Sequence, residues 1–207
     1  MTIVKLLGEM RMYYTNDNHE DILNELIKRI DHMISRHNKV LVVRLDARFP
    51  VGFISDGGNG EISRLLKSLK EFCNDMGIEC HDVWVREKDS GSPNHHYHIV
   101  LMLDGSRIQN ADDLLRRADA TWSNLFGGSF QNRIHFCRQD RDGKKVSGGV
   151  MIRRVSSMAT GQEKINQEQE SQAERDAAIY MVSYLAKNVT KEDQLPHRVR
   201  RYGCSEL

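Results

Sequence analysis

The sequence is poor in proline and in paired cysteine. Only three prolines occur in 207 residues, and no low-complexity linker or internal repeat divides the chain, which favours one compact domain with short additions. The four cysteines are scattered and form no C-x-x-C pair. This spacing excludes a zinc-finger framework and predicts reduced thiols.

Long apolar runs and an excess of one charge are also missing. No segment approaches the roughly 20 apolar residues of a membrane-spanning helix, and residues 1–9 lack the pattern of a signal peptide. The 30 Lys+Arg and 29 Asp+Glu leave a net charge of +1, which excludes a polycation that coats nucleic acid unspecifically. We therefore expect a cytoplasmic protein without membrane contact, in which only a local basic surface could bind nucleic acid.

Hydrophobic periodicity predicts an α+β fold. With 39% hydrophobic residues the chain can close a modest core. Amphipathic spacing predicts helices at 20–36, 61–76, 112–126 and 173–188. Alternating or continuous apolar runs predict strands at 39–48, 81–87, 95–103, 134–138 and 150–155. The turn-rich residues 89–94 join the second and third strands in a hairpin, so a mainly antiparallel sheet with flanking helices is expected.

Three parts of the chain are distinguished by pattern and charge. They are an N-terminal helical segment (1–38), a central domain (39–190) and a basic C-terminal tail (191–207). Within the central domain, the Glu/Gln-rich residues 162–175 contain no chemical motif and no clear apolar stripe. We expect them to be a mobile surface segment, or a lid, ahead of the last helix.

Two histidines alternate on the third predicted strand. His96 and His98 are two positions apart, so they share one face of the strand, with Tyr97 on the other. The hairpin can bring Glu87, at the end of the second strand, beside them. A Glu/His/His set leaves coordination positions open and suits Mn²⁺ or Mg²⁺ acting as a Lewis acid. The alternative is that these histidines are structural or surface residues with ordinary partners.

Two tyrosines and a lysine recur at helical spacing near the C-terminus. In the sequence YMVSYLAK, the helical period places Tyr180, Tyr184 and Lys187 on one stripe. Such a stripe is common on half-buried helices, where a lysine extends past aromatic rings to solvent. Beside a metal ion, the same residues provide nucleophiles and a cation for phosphoryl transfer. A phosphotyrosyl ester would conserve the energy of the broken DNA backbone bond.

The two motifs together resemble the HUH endonuclease superfamily. The pattern E-x8-H-Y-H-I-V-L from Glu87, followed by Y-x-x-x-Y-x-x-K from Tyr180, is most similar to its two-tyrosine rolling-circle replication initiators. The chain as a whole looks like the replication proteins of inovirus type, which are met in phages and prophages. The stretches RLDARFP at 44–50 and RRYGCS at 200–205 add to this resemblance.

The resemblance implies a fold, a reaction and a set of site residues. The central domain would be an HUH-type nicking domain with an RRM-like sheet, its histidine pair on a central strand and its tyrosine pair on a late helix. The enzyme would nick and join single-stranded DNA at an origin through a 5′-phosphotyrosyl intermediate, and a host helicase and polymerase would complete rolling-circle replication in a bacterial cell. The implied residues are, for the metal, Glu87, His96 and His98, and, for catalysis, Tyr180, Tyr184 and Lys187.

One part of the superfamily pattern is replaced in this chain. Arg44-Leu45-Asp46 stands where the superfamily usually has a strand with small hydroxyl residues. Three roles are open for Asp46: a position near the metal, an ion pair with Arg44 or Arg48, or a contact with DNA.

Basic residues on both sides of the tyrosine motif are the predicted DNA contacts, since phosphate contacts provide most of the affinity for DNA. With the residues of the first strand, the predicted set is Arg44, Asp46, Arg48, Arg133, Arg138, Lys144, Lys145, Arg153, Arg154, Arg200 and Arg201. Two other functions stay open: a transposase or relaxase of the same superfamily, and a non-catalytic DNA-binding regulator with the same fold.

Overall fold

A computed structural model of the chain describes residues 19–128, 134–137, 149–187 and 195–207, together with the backbone of residues 3–7 and 10–14. The helices are α1 (Glu20–Arg36), α2 (Gly60–Asp75), α3 (Asp112–Asn124) and α4 (Gly161–Ser183), and a 3-10 turn at Tyr184–Ala186 continues α4. The strands are β1 (Ile3–Leu7), β2 (Met10–Tyr14), β3 (Lys39–Arg48), β4 (Cys80–Glu87), β5 (His96–Asp104), β6 (Ile134–Phe136), β7 (Gly149–Arg153) and β8 (Tyr202–Cys204).

The main sheet is antiparallel, in the order β6, β3, β5, β4 and β8. Strand β7 pairs with the first half of β3, on the edge whose second half pairs with β6. Strands β1 and β2 form a separate two-stranded ribbon. Because β5 lies between β3 and β4, every one of its residues is buried.

Helices cover both faces of the sheet. On one face, odd-numbered residues of β3 such as Leu41, Val43 and Leu45 pack with the apolar residues of α2 and α3. On the opposite face, Val40 and Val42 pack with the residues of α1 and α4. Side chains alternate between the faces of a strand, so β3, β4 and β5 each supply residues to both hydrophobic cores.

The second face becomes polar toward one end of the sheet. In β3 the apolar Val40 and Val42 are followed on the same side by Arg44 and Asp46, and in β5 the histidine pair precedes Val100 and Met102. Because β3 and β5 run in opposite directions, these polar positions meet at the same end. The alternation of the strands therefore creates a buried polar site beside a hydrophobic core.

The sequence-based expectations for fold class are confirmed at the level of a mixed α+β structure with a mostly antiparallel sheet and four helices. Helix α1 and strand β3 have the predicted ends, and β4 begins one residue earlier than predicted. Both ends of β5 and of α2 are displaced by one residue, and α3 ends at Asn124, two residues before the predicted end. Residues 138 and 188, at the ends of two other predicted elements, lie outside the described residues. The three-part division of the chain stays a prediction.

The expectation for residues 162–175 is wrong. They are regular helix, so α4 begins twelve residues earlier than predicted, at Gly161 rather than at residue 173. Glu, Gln and Lys are good helix formers, and polar pairs four residues apart stabilise an exposed helix. Gln162 and Asn166, and Gln167 and Glu163, form such pairs. The absence of an apolar stripe concealed this helix in the sequence.

Three strands, β1, β2 and β8, were not expected from the sequence patterns. The ribbon of β1 and β2 lies within the segment that was predicted as helical, and β8 lies within the predicted tail and extends the sheet beside β4. Among the described residues, no helix is both long and apolar enough to cross a membrane.

Candidate metal centre and tyrosine site

The register of three strands assembles the predicted metal ligands. His96 lies directly opposite Glu87 across the β4–β5 pair. On the other side of β5, His98 lies opposite Asp46 of β3. Directly opposed side chains in an antiparallel pair have neighbouring Cβ atoms, so these four residues form one cluster.

Glu87, His96 and His98 form a group that could hold a metal ion, because one ligand atom from each lies within 4.8 Å of the others. Glu87 is completely buried, and the histidines are 4% and 3% exposed. The distance from His98 Nε2 to Glu87 Oε2 is 3.2 Å. Two imidazole nitrogens and one carboxylate are a donor set that fits a divalent ion and leaves positions for water or a phosphate oxygen.

Asp46 orients His98. Its Oδ1 lies 2.6 Å from His98 Nδ1, so the ring turns Nε2 toward Glu87. Carboxylates commonly hold metal-binding histidines in this way. Burial alone would raise the pKa of the Asp46 carboxyl, but the hydrogen bond and charge of His98, with the charge of Arg44, hold that pKa well below its usual range. Asp46 is therefore an anion beside the ligand.

The structure distinguishes among the roles that were open for Asp46. Arg44 Nη2 lies 3.3 Å from Asp46 Oδ2, so this ion pair is present. Arg48 instead donates to Asp89 Oδ2 at 3.0 Å. Asp46 thus combines a position next to the candidate metal centre with an ion pair to Arg44.

His96 has a different environment. Its Nδ1 lies 3.8 Å from Asp89 Oδ2. Burial, and then the charges of His98 and Arg48, lower the pKa of His96 to about 4. A neutral ring offers a nitrogen lone pair to a metal at neutral pH. Asp89 was not among the predicted site residues, although its place in the turn before the histidine pair was a signal that could have identified it.

Tyr184 and Lys187 lie against the candidate metal centre. The rings of His98 and Tyr184 are perpendicular, with centroids 5.4 Å apart. Lys187 Nζ lies 3.5 Å from the centroid of the Tyr184 ring and 3.6 Å from Glu87 Oε2. The guanidinium carbon of Arg44 lies 4.0 Å from the same ring centroid. A phenol and two cations thus surround a fully buried carboxylate and its histidine partner.

The local geometry differs from the predicted continuous helix. The α-helix ends at Ser183, Tyr184 begins a 3-10 turn, and Lys187 has an extended backbone with φ −61° and ψ 146°. The predicted helix through residue 188 is therefore wrong at its end. The turn still brings Lys187 to Tyr184, whose carbonyl accepts a hydrogen bond from the Lys187 amide. Tyr180, half-buried, lies one helical turn before Tyr184.

The predicted DNA contacts are spread over two ends of the sheet. Arg153 lies opposite Lys39 and pairs with Glu174. The strand from Lys39 to Asp46 is about 23 Å long at roughly 3.3 Å per residue. Arg154 donates to Ser35 O at 3.2 Å, at the same distant end.

Arg200 and Arg201 lie closer to the candidate metal centre. The Arg201 carbonyl accepts a hydrogen bond from the amide of Arg86, the residue before Glu87. Arg44 lies inside the site, and Arg48 is exposed at its edge. The other four predicted contacts, Arg133, Arg138, Lys144 and Lys145, lie outside the described residues.

A neighbouring group was not predicted from the sequence, because it spans two strands. Asp46, His135 and Cys137 also have potential ligand atoms within 4.8 Å of one another. His135 lies opposite Asp46 in the β3–β6 pair. Burial, and then the charge of Asp46, raise the pKa of the Cys137 thiol to about 12, so this sulfur is protonated at neutral pH. Asp46 is shared with the first group.

We predict that Asp46→Asn weakens metal binding and leaves the fold intact. The asparagine amide fills the same space but removes the negative charge beside His98. Loss of a side chain that hydrogen-bonds a metal ligand typically lowers metal affinity by about 10- to 100-fold. Calorimetric titration with Mn²⁺ would measure this loss. Asp113→Asn, on the exposed side of α3, is the matched control. Equal Mn²⁺ affinity in the two variants would contradict the assigned role of Asp46.

Comparison with known proteins supplies one match. No curated protein and no solved structure matches the chain significantly. A family model described as the YagK/YfjJ C-terminal domain matches residues 5–205, which include the sheet, the histidine pair and the tyrosine motif. The matched region is nearly the whole sequence. The chain therefore belongs to the YagK/YfjJ C-terminal domain family.

Proposed function

We propose that this protein is a metal-dependent endonuclease of HUH type that nicks and rejoins single-stranded DNA through a 5′-phosphotyrosyl intermediate. It would initiate rolling-circle replication of phage or prophage DNA. The observation that carries the proposal is the position of Tyr184 and Lys187 against His98 and Glu87. A phenol, a cation and a candidate metal centre meet there although they come from distant parts of the sequence.

The proposed metal is Mn²⁺ or Mg²⁺. Glu87, His96 and His98 would hold it, and the bound ion would polarise the scissile phosphate. The geometry of the chain supports this assignment, because the ligand atoms already lie within 4.8 Å of one another and Asp46 already orients His98. Oxygen and imidazole donors are compatible with either ion.

Tyr184 is the proposed first nucleophile. Its phenolic oxygen would attack phosphorus, the bond from phosphorus to the 3′ oxygen would break, and the 5′ phosphate would remain on the tyrosine as an ester. The phenolic proton would pass to solvent water, and the released 3′ oxygen would take up a proton from solvent. Lys187, with its ammonium 3.5 Å from the centre of the Tyr184 ring, is placed to stabilise the charge that develops in this exchange.

Tyr180 is the proposed second nucleophile. It lies in the last turn of α4, and Tyr184 begins the 3-10 turn that follows, so both tyrosines are found where this helix ends. Tyr180 would attack the junction that forms after one round of replication, while Tyr184 still carries the original 5′ end. The energy stored in each phosphotyrosyl ester would allow rejoining without ATP.

The proposed partner is single-stranded DNA with a replication origin. Arg48 is exposed beside His96, and Arg200 and Arg201 lie near the end of β4, so these cations could contact phosphates next to the scissile bond. Arg44 contacts Tyr184 and Asp46 instead, which favours a positioning role. A host helicase would separate the strands and a host polymerase would extend the free 3′ end.

Labelled oligonucleotides test the proposal. The protein would be incubated with Mn²⁺ and single-stranded oligonucleotides that tile the DNA around its gene, labelled at either the 3′ or the 5′ end. We expect the 3′ label to become covalently attached to protein and the 5′ label to appear on a shorter free strand. Chelation of the metal should abolish both products.

Two outcomes would contradict the proposal. Binding without any broken strand would identify a DNA-binding regulator, and a covalently attached 5′ label would reverse the polarity of the proposed ester. Duplex oligonucleotides of the same sequences serve as the control, because paired strands should not be cleaved under these conditions.

A further inference from the structure

A second group of metal-ligand side chains lies at the other end of β4. It consists of His32 on α1, Glu79 just before β4, and His81 on β4, whose potential ligand atoms lie within 4.8 Å of one another. His81 Nε2 lies 3.4 Å and His32 Nε2 lies 4.0 Å from the same oxygen, Glu79 Oε1. From His81 to Glu87 the strand is about 20 Å long at roughly 3.3 Å per residue, so this group is separate from the proposed cleavage centre.

Hydrogen bonds and ion pairs with residues outside this group already orient its side chains. Ser205 Oγ lies 3.0 Å from His81 Nδ1, which leaves His81 Nε2 facing Glu79. His37 Nε2 lies 3.1 Å from the other oxygen of Glu79, and His37 Nδ1 lies 3.5 Å from Asp104 Oδ2. Partners of this kind fix the ring orientation of histidine ligands and the direction of carboxylate ligands in metal sites.

We propose that His32, Glu79 and His81 bind Zn²⁺. Imidazole is a preferred ligand of Zn²⁺, and two histidines with one glutamate occur in zinc sites that keep a fourth position for water. Ligand atoms about 2 Å from a tetrahedral ion lie roughly 3.4 Å apart, which matches the distance from His81 to Glu79 and requires only a small movement of His32.

Zn²⁺ would replace a contact that involves Arg36. The Arg36 guanidinium now pairs with Glu79 at 3.0 Å, but its side chain is 55% exposed and can turn into solvent. The three ligands come from the last turns of α1 and from the start of β4. The ion would therefore link α1 to the sheet and, through Ser205, to the end of the chain.

Zinc titration of metal-free protein tests the proposal. The full chain, stripped with a chelator, would be titrated with Zn²⁺ by calorimetry, and its melting temperature would be recorded with and without the ion. We expect His32→Gln and His81→Gln each to lower the affinity of one binding event by about a hundredfold or more, and His37→Gln to lower it by about 10- to 100-fold. His197→Gln, on an exposed residue, is the control and should bind like the original protein.

The other candidate centre must be distinguished in the same experiment. Because Zn²⁺ can also enter the Glu87 group, each titration would be repeated in a His98→Gln background. The binding event assigned here should survive His98→Gln and disappear with His32→Gln. Circular dichroism would verify that each variant is folded, and half-exposed His32 provides the variant least able to disturb the core.

The results that overturn the proposal are specific. If His32→Gln and His81→Gln retain the full stoichiometry and affinity for Zn²⁺, the cluster is an ion-pair network around Glu79. The same conclusion follows if folded, metal-free protein shows no zinc binding event that survives His98→Gln. DNA cleavage in Mn²⁺ should be unchanged by His32→Gln, so this test is independent of the proposed nuclease activity.

Discussion

The double substitution Tyr180→Phe and Tyr184→Phe should abolish the covalent adduct between protein and DNA. Phenylalanine retains the ring that packs beside His98 and Lys187 but removes the oxygen that would bond to phosphorus. Removal of a covalent nucleophile usually costs on the order of 10⁴-fold or more in rate. Gel electrophoresis under denaturing conditions, with 3′-labelled oligonucleotides and Mn²⁺, would measure the loss.

The single variants report on the order of attack. Tyr184→Phe should lose most of the first adduct, since Tyr184 is the tyrosine that contacts His98. Tyr180→Phe should still form an adduct but should lose transfer to a second strand. Tyr202→Phe, on β8, removes a phenol outside the site and is the matched control. A normal yield of adduct from the double variant would show that neither tyrosine is the nucleophile.

The substitution His98→Gln should remove both metal binding and cleavage. It deletes a ligand and separates the buried Glu87 and Asp46 from their shared imidazole. If Lewis-acid activation contributes about 4 kcal/mol to the reaction, the cleavage rate falls roughly a thousandfold. Calorimetry with Mn²⁺ and a cleavage time course on the folded variant would measure the two losses.

The neighbouring histidine supplies the control for this substitution. His95 lies on the other side of the strand from His96, and its Nε2 lies 2.7 Å from the Tyr97 hydroxyl, outside the candidate metal centre. His95→Gln should therefore retain Mn²⁺ binding and cleavage. His98→Gln should retain affinity for single-stranded DNA, because the exposed arginines are unchanged. Cleavage at the original rate by His98→Gln would contradict the metal assignment.

The strand pattern predicted the arrangement of the histidines well. Alternation placed His96 and His98 on one face and Tyr97 on the other, and Tyr97 is indeed fully buried in the core of α2 and α3. This succeeded because side-chain direction in a strand is a local property of the backbone. The choice of Glu87 as their neighbour needed the hairpin register, which the short turn between two clear strands made predictable.

The C-terminal motif was predicted less accurately. The spacing of Tyr180, Tyr184 and Lys187 was interpreted as one helical stripe, but Lys187 lies beyond a 3-10 turn. Its approach to Glu87 depends on where the helix ends against the sheet. Residues 162–175 gave the opposite error, since a polar helix without an apolar face resembles a surface segment when only hydrophobic periodicity is considered.

The sequence by itself determined the five strands β3 to β7, most of the helices, the shared face of the histidines and the identity of the chemical groups, because these depend on neighbouring residues. Only the tertiary structure decided that Asp46 orients His98, that Tyr184 meets His98 and Lys187 meets Glu87, and that His32 joins Glu79 and His81. Each of these contacts unites separate elements. The positions of these contacts depend on strand register and on helix packing. Register and packing are set by the burial of apolar residues on both faces of the sheet, so they cannot be derived from the pattern of neighbouring residues.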